Sequence, residues 1–244
     1  MAIATVPIAC SNAVVVTGDA GTDSSVLAPE PFCASRPNLQ FCEDFDGAGL
    51  PGQFTEKTEL GGTFAVDTST WSSPSKALLV KTVAGASETK IVLTKAFAAG
   101  KKLRLFGQIY VEQRSELSSS LTEVYALNFV ENGATYRVGI AVSGTGAWFA
   151  FEEGALATPI ASTFAASTAV PEKEWTSLRL DVDFEAVEKG TLSVKVGSDT
   201  VVEKASLRPP FITQGPTLAV GLRSVSPASG EWRVRFDTLN FAID

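Results

Sequence analysis

From Trp175 to Asp244 the sequence alternates apolar and polar residues repeatedly, and that period constrains the fold more than any other feature. Leu178, Leu180, Val182 and Phe184 interleave with Arg179, Asp181, Asp183 and Glu185. This is the period-2 signature of a strand with one buried face. Leu192, Val194 and Val196 repeat it, and a Gly197-Ser198-Asp199 turn leads to Val201 and Val202. Trp232, Val234, Phe236, Leu239 and Phe241 close the chain, with one register change near Asp237. Successive strands with no helical period between them predict an antiparallel all-β domain.

The upstream chain reads the same way. Leu39 to Asp46 alternates and ends in a turn, and Phe54 to Val66 holds one or two short strands broken by Gly61-Gly62. A loop after Trp71 leads into a strand through Val80, and Lys90 to Phe97 and Leu103 to Gln113 follow. Leu121–Val130, Tyr136–Val142 and Ala147–Phe151 form a meander, with Glu131-Asn132-Gly133 and Ser143-Gly144-Thr145-Gly146 as its hairpin loops. Ala155 to Ser167 is Ala/Thr-rich and carries no clear period. About a dozen strands need two packed sheets to hide both inner faces.

Charge and composition exclude whole classes of function. The net charge is −7, with no cluster of Lys/Arg. That disfavours nucleic acid and an anionic membrane surface, which both reward clustered cations. Histidine is absent from all 244 residues, which removes Ser-His-Asp and Cys-His catalysis and His-based metal sites. Cys33 and Cys42 bound a short loop that a disulfide could staple, and Cys10 stands apart. A pair plus a singleton suggests an oxidising compartment, against the alternative of three free thiols in a cytosolic protein.

Residues 1–31 read as signal remnant and tether, with the Gly/Ser/Asp/Pro content of a linker. A-T-V-P-I-A-C resembles the end of a bacterial lipoprotein signal, which implies lipidation at Cys10 and membrane association only through that anchor. An ordinary frayed terminus is the alternative.

A wider resemblance is carried by F-C-E-D-F-D-G at 41–47, S-P-S-K-A-L-L-V after Trp71, E-W-T-S-L-R-L-D-V-D-F with G-T-L-S-V-K-V-G, and the final W-R-V-R-F-D-T-L-N-F. In this order they resemble the concanavalin A-like lectin/glucanase jelly roll, which includes laminin-G-like domains, lectins, glycanases and polysaccharide lyases. The resemblance implies a two-sheet antiparallel β-sandwich over residues 32–244. The F-C-E-D-F-D start is also similar to bacterial surface lipoproteins, implying an exported envelope protein. Such sandwiches bind glycans, cleave them or mediate adhesion.

The expected function is a non-catalytic carbohydrate-binding or adhesive module. The alternative is a polysaccharide-degrading hydrolase or lyase, and a third reading is a structural envelope protein without ligand. Glycan binding needs aromatic faces and planar polar groups, and Gln108, Tyr110, Glu123, Tyr125, Asn128, Tyr136, Arg137 and Trp148 supply them. Edge packing is the other explanation for the tyrosines. Asp181, Asp183 and Glu185 are the carboxylates a glycosidase would draw on; the resemblance places their strand on the outer sheet away from the cleft. Gln108-Ile109-Tyr110 resembles the Q-I-H signature of alginate lyases with tyrosine at the histidine position. The resemblance further implies a structural Ca2+ held by Glu43, Asp44 or Asp46 with Asp237.

Overall fold

The computed structural model describes residues 31–244 apart from 48, 116–120, 132, 155–159, 186–189, 209–213 and 225–229. Cys10 and the tether expected over residues 1–31 thus lie outside the described residues, Pro31 excepted.

The alternating segments become β1 (Phe41–Glu43), β2 (Glu56–Leu60), β3 (Gly62–Asp67), β4 (Ala77–Thr82) and β5 (Thr89–Ala96). Next come β6 (Lys102–Gln113), β7 (Leu121–Glu131), β8 (Ala134–Ser143), β9 (Ala147–Gly154) and β10 (Ile160–Ala169). The chain ends with β11 (Trp175–Asp183), β12 (Thr191–Val196), β13 (Asp199–Ser206), β14 (Thr217–Ser224) and β15 (Arg233–Ile243). From Ile160 on, the Ala/Thr-rich stretch is strand β10, at the edge of its sheet; residues 155–159 lie outside the described residues.

The strands form an all-β sandwich of two antiparallel sheets. The first runs β13-β12-β11-β6-β15-β4-β3, with β1 also paired to β15; the second runs β10-β9-β8-β7-β14-β5-β2. The chain passes between sheets where its punctuation allows. Gly61, at φ 71°, separates β2 of the second sheet from β3 of the first, a backbone conformation that glycine adopts without penalty. The register change near Asp237 is real: the β15–β6 ladder shifts between Asp237 and Asn240, and Thr238 takes φ 49°.

One core lies between the sheets. Leu178, Leu180 and Val182 of β11 pack there with Leu103, Leu105 and Ile109 of β6 and Val138, Ile140 and Val142 of β8. These are the apolar phases of the alternation. A separate small cluster, Ala126, Ala141, Phe151 and Ala219 with Leu121, belongs to the opposite phase of the second sheet. It sets three alanines around the Phe151 ring on that sheet's outer face.

Candidate functional site

The second sheet's outer face is built from the residues that the core phase leaves over. Asn128 on β7 is paired with Arg137 on β8, and Arg137 with Glu153 on β9. Glu123 of β7 is register partner to Arg223 of β14, which in turn pairs with Lys90 of β5. Between these polar rows run Ala126 and Ala219, with Gly221 next to them, and their small side chains leave a trough. Gly139 beside Ala126 is closed over by the Phe151 ring. A Cβ on Gly139 would meet the Tyr125 carbonyl at 2.2 Å and the Phe151 ring at 2.7 Å. The trough is a groove of about 510 Å³ that includes Lys90, Thr94, Glu123, Asn128 and Arg223.

Its charges are not equivalent. Arg137 is buried and saturated: Nη1 donates to both oxygens of Glu123 at 2.9 and 3.0 Å, and Nη2 donates to Glu153. Arg223 is 40% exposed in its side chain and reaches Glu123 only at 4.0 Å. Lys90 has no carboxylate partner among the described residues. Burial pushes the Glu123 carboxyl above its ordinary value; Arg137 and Arg223 oppose that, and Glu153 adds to it. A buried ion pair with such a raised acid is held by geometry more than by net electrostatic gain. The face thus has one clamped arginine and two cations available to a ligand.

The residues expected to bind glycan divide three ways. Glu123 and Asn128 line this groove, and Arg137 stands behind it, bonded to Glu123 and Glu153. Gln108 and Tyr110 lie on the outer face of the other sheet, beside Ser177 and Trp175 of β11. Tyr125, Tyr136 and Trp148 are at most 1% exposed and point into the core, so stacking on a sugar is closed to them, correcting that expectation. Tyr125 donates across the sandwich to the Gln108 carbonyl at 3.4 Å, and Tyr136 donates to Glu152 at 3.0 Å. Burial raises both hydroxyls far above the ordinary tyrosine value. The phase of Tyr136 with Val138 and Ile140 carried this information. The inward turn of Tyr125 did not follow from parity with Glu123, because a register shift lies between them.

Asp181, Asp183 and Glu185 belong to the first sheet's outer side, far from the groove's face. Asp181 accepts from Arg179 at 2.7 and 3.0 Å, Asp183 accepts the Glu185 N–H, and Glu185 pairs with Lys102 at 2.5 Å. They form a solvated ion-paired surface, the alternative set out from the sequence. Lys90, Glu153 and Arg223 were not singled out there; their signal was the polar phase of strands whose other phase is core.

The Cys33–Cys42 disulfide forms. Of the carboxylates expected to hold calcium, Glu43, Asp44 or Asp46 with Asp237, each has backbone partners of its own. Glu43 accepts the N–H groups of Phe45 (2.8 Å) and Gln53 (2.7 Å), and Asp44 accepts that of Cys33 at 2.9 Å. Asp46 and Asp237 instead grip one loop: Asp237 accepts from Ser72 and Ser73, both at 2.7 Å, and Asp46 from Ser75 and Lys76 at 2.6 and 2.9 Å. Asp46 Oδ2 is buried without a hydrogen-bond partner. No group of three or more potential metal ligands gathers among the described residues.

No protein-family model matches this sequence, and no curated protein matches it. Solved structures do. An endo-β-1,4-glucuronan lyase from the fungus Trichoderma reesei aligns with a TM-score of 0.67 at 11% identity, covering 84% of this chain and 96% of its own. The cellulose-induced protein Cip1 gives 0.60 at 13% identity, with 83% and 97% covered. A marine alginate lyase from Aplysia kurodai gives 0.56 at 12%, with 74% and 87% covered. At such identities the likeness establishes the architecture alone: this chain is a two-sheet antiparallel jelly-roll sandwich, the fold that these solved structures share.

Proposed function

We propose that this protein binds an acidic polysaccharide, a polyuronate, along the outer face of the second sheet. One observation carries the reading: Arg223 and Lys90 stand cross-strand in a groove whose acid, Glu123, already accepts two bonds from Arg137, in a chain of net charge −7. Cations concentrated against the overall charge are what an anionic chain of sugars recognises. Asn128 adds an amide whose Nδ2 donates to the Thr217 carbonyl at 3.2 Å, orienting its oxygen for a sugar hydroxyl. The disulfide supports export.

A second reading, cleavage by β-elimination, is favoured by the folds it resembles, a glucuronan lyase and an alginate lyase. In that chemistry Arg223 would draw charge from the uronate carboxylate and so acidify the C5 proton. The C5 proton would pass to a solvent base, with Lys90 adding a second positive charge beside the carboxylate. The C4–O bond breaks, its electron pair leaves with the oxygen, and that oxygen takes up a proton. Titrating the intact protein with polyglucuronate and alginate, while following the ultraviolet absorbance of the C4–C5 double bond, separates the readings. Binding without absorbance identifies a binding module, and binding with absorbance a lyase. Neither signal sinks both and leaves the structural envelope role.

We also propose that Asp46 and Asp237 hold a Ca2+ beside the loop they share. The orphaned Asp46 Oδ2 supports this. Burial pushes Asp237 up to about 7 despite three backbone N–H bonds, with Asp46 adding like charge, so a cation here has charge to neutralise. The competing occupant is Lys76, whose Nζ donates to the Asp46 and Gly47 carbonyls at 2.8 and 3.2 Å. Calcium should raise the melting temperature relative to chelator, and Asp46→Asn should abolish the difference. An unchanged melting curve would leave Lys76 as the counter-cation.

A further inference from the structure

The other outer face carries a different kind of cleft. Trp175 of β11 and Tyr110 of β6 are register partners, with ring centroids 5.4 Å apart and planes inclined by 51°. Both are half-buried. The Arg235 guanidinium lies 5.4 Å from the Tyr110 ring centre and is itself held by Asp67 and Glu112. Tyr110 is therefore fixed from one side, and it buttresses Trp175. One row along the same face, Gln108 is partnered with Ser177. Trp175, Gln108 and Ser177 border a cleft of about 880 Å³, together with Glu174, Ser198 and Asp199. The turn between β12 and β13 forms one wall, and the end of β10 and the approach to β11 form the other.

The chemistry of this cleft differs from that of the groove. No lysine or arginine lines it, while two exposed carboxylates do. The Gln108 side-chain amide makes no hydrogen bond among the described residues. An indole face offers dispersion contact to the C–H face of a pyranose ring, and planar amide and carboxylate groups take up vicinal sugar hydroxyls. Carboxylates without a counter-cation repel a uronate. We propose that the cleft is a second carbohydrate site, specific for an uncharged oligosaccharide, with Trp175 as the stacking platform and Gln108, Glu174 and Asp199 as hydroxyl partners. It is independent of the polyuronate groove, which lies on the opposite side of the sandwich. Two such sites would let one domain bridge a neutral and an acidic glycan.

Calorimetric titration of the intact protein with cello-, xylo- and manno-oligosaccharides tests this. One of the three should bind, and Trp175→Ala should weaken it by at least about tenfold, as expected for a central aromatic anchor. Gln108→Ala should weaken it by about threefold, on the scale of one lost neutral hydrogen bond. Arg223→Ala should leave it unchanged, and saturating polyglucuronate should not displace it. Should Trp175→Ala fail to fold, Gln108→Ala and Asp199→Ala, both outside the core, decide the matter. The proposal is overturned if none of the three sugars binds, if the variants bind as wild type does, or if polyglucuronate competes. Because ligands and residues differ from those of the groove, failure here leaves the polyuronate reading untouched.

Discussion

The two outer faces of the sandwich use the same residue types and arrive at opposite states. On the first sheet every arginine is matched to acid, though Lys81, Lys195 and Lys204 have no ion pair among the described residues. Arg235 is bonded to Asp67 and Glu112, Arg233 to Glu231 and Glu112, Arg179 to Asp181 and Lys102 to Glu185. On the second, Glu123 and Glu153 are bonded to one arginine, Arg223 reaches Glu123 only at 4.0 Å, and Lys90 has no carboxylate partner among the described residues, both beside Ala126, Ala219 and Gly221. A matched surface charge has little left to offer a ligand, and exposed pairs add little stability. An unmatched cation above a trough has its interaction still to make. Charge content alone would not distinguish the faces; pairing does.

The largest effect belongs to the matched face. Arg235 is nearly buried, so Arg235→Ala should leave Asp67 with only its Ser69 bonds and Glu112 with only the longer Arg233 pair, and cost about 3 kcal/mol. For a domain of this size that is roughly 6–12 °C in melting temperature. Polyuronate affinity should not change. A drop in affinity would mean that the two faces are coupled, and the contrast drawn between them would fail.

Arg223→Ala should do the reverse. The side chain is substantially exposed, so the melting temperature should barely move, while polyuronate binding weakens by about tenfold, or roughly 1.4 kcal/mol. Lys90→Ala should have a smaller effect in the same direction. Binding should also weaken as salt is raised through the range where the Debye length falls below about 10 Å. Salt-insensitive binding would point to hydroxyl recognition instead and would break the charge argument for the groove.

These faces were unequally legible before the fold was known. Alternation alone places Leu178, Leu180 and Val182 in the core, and places the break near Asp237, because those signals are local. The pairing of Arg137 with Glu123 and Glu153 joins three strands, and no local pattern shows which strands will be neighbours. Tyr136 and Trp148 were legible from phase: each alternates with outward residues and shares parity with Val138 or Ala150. Treating tyrosine as a surface residue overrode that phase. Tyr125 was not legible, since the register shift beside Glu123 reverses parity within two residues. Arg223 and Lys90 gain meaning only once β14 is inserted between β7 and β5.

The finest contrast is in the acids of the two networks, whose pKa values move in opposite directions. Glu123 is raised, because burial outweighs Arg137 and Arg223. Burial also pushes Asp67 up, but hydrogen bonds from Ser69 and Arg235 overcome it and leave the carboxyl below its ordinary value. A raised folded pKa contributes stability that is present below the unfolded value and lost as pH rises through the folded one. A lowered folded pKa contributes stability that is present above the unfolded value and lost as pH falls through the folded one. The stability difference between wild type and Glu123→Gln should therefore shrink as pH rises from acid to neutral. That between wild type and Asp67→Asn should grow over the same interval, mostly at its acidic end. Urea midpoints across that pH range read both slopes. Slopes of the same sign would show that the two buried arginine clusters are electrostatically alike, so that the groove differs from the matched face only in what lies unpaired above it.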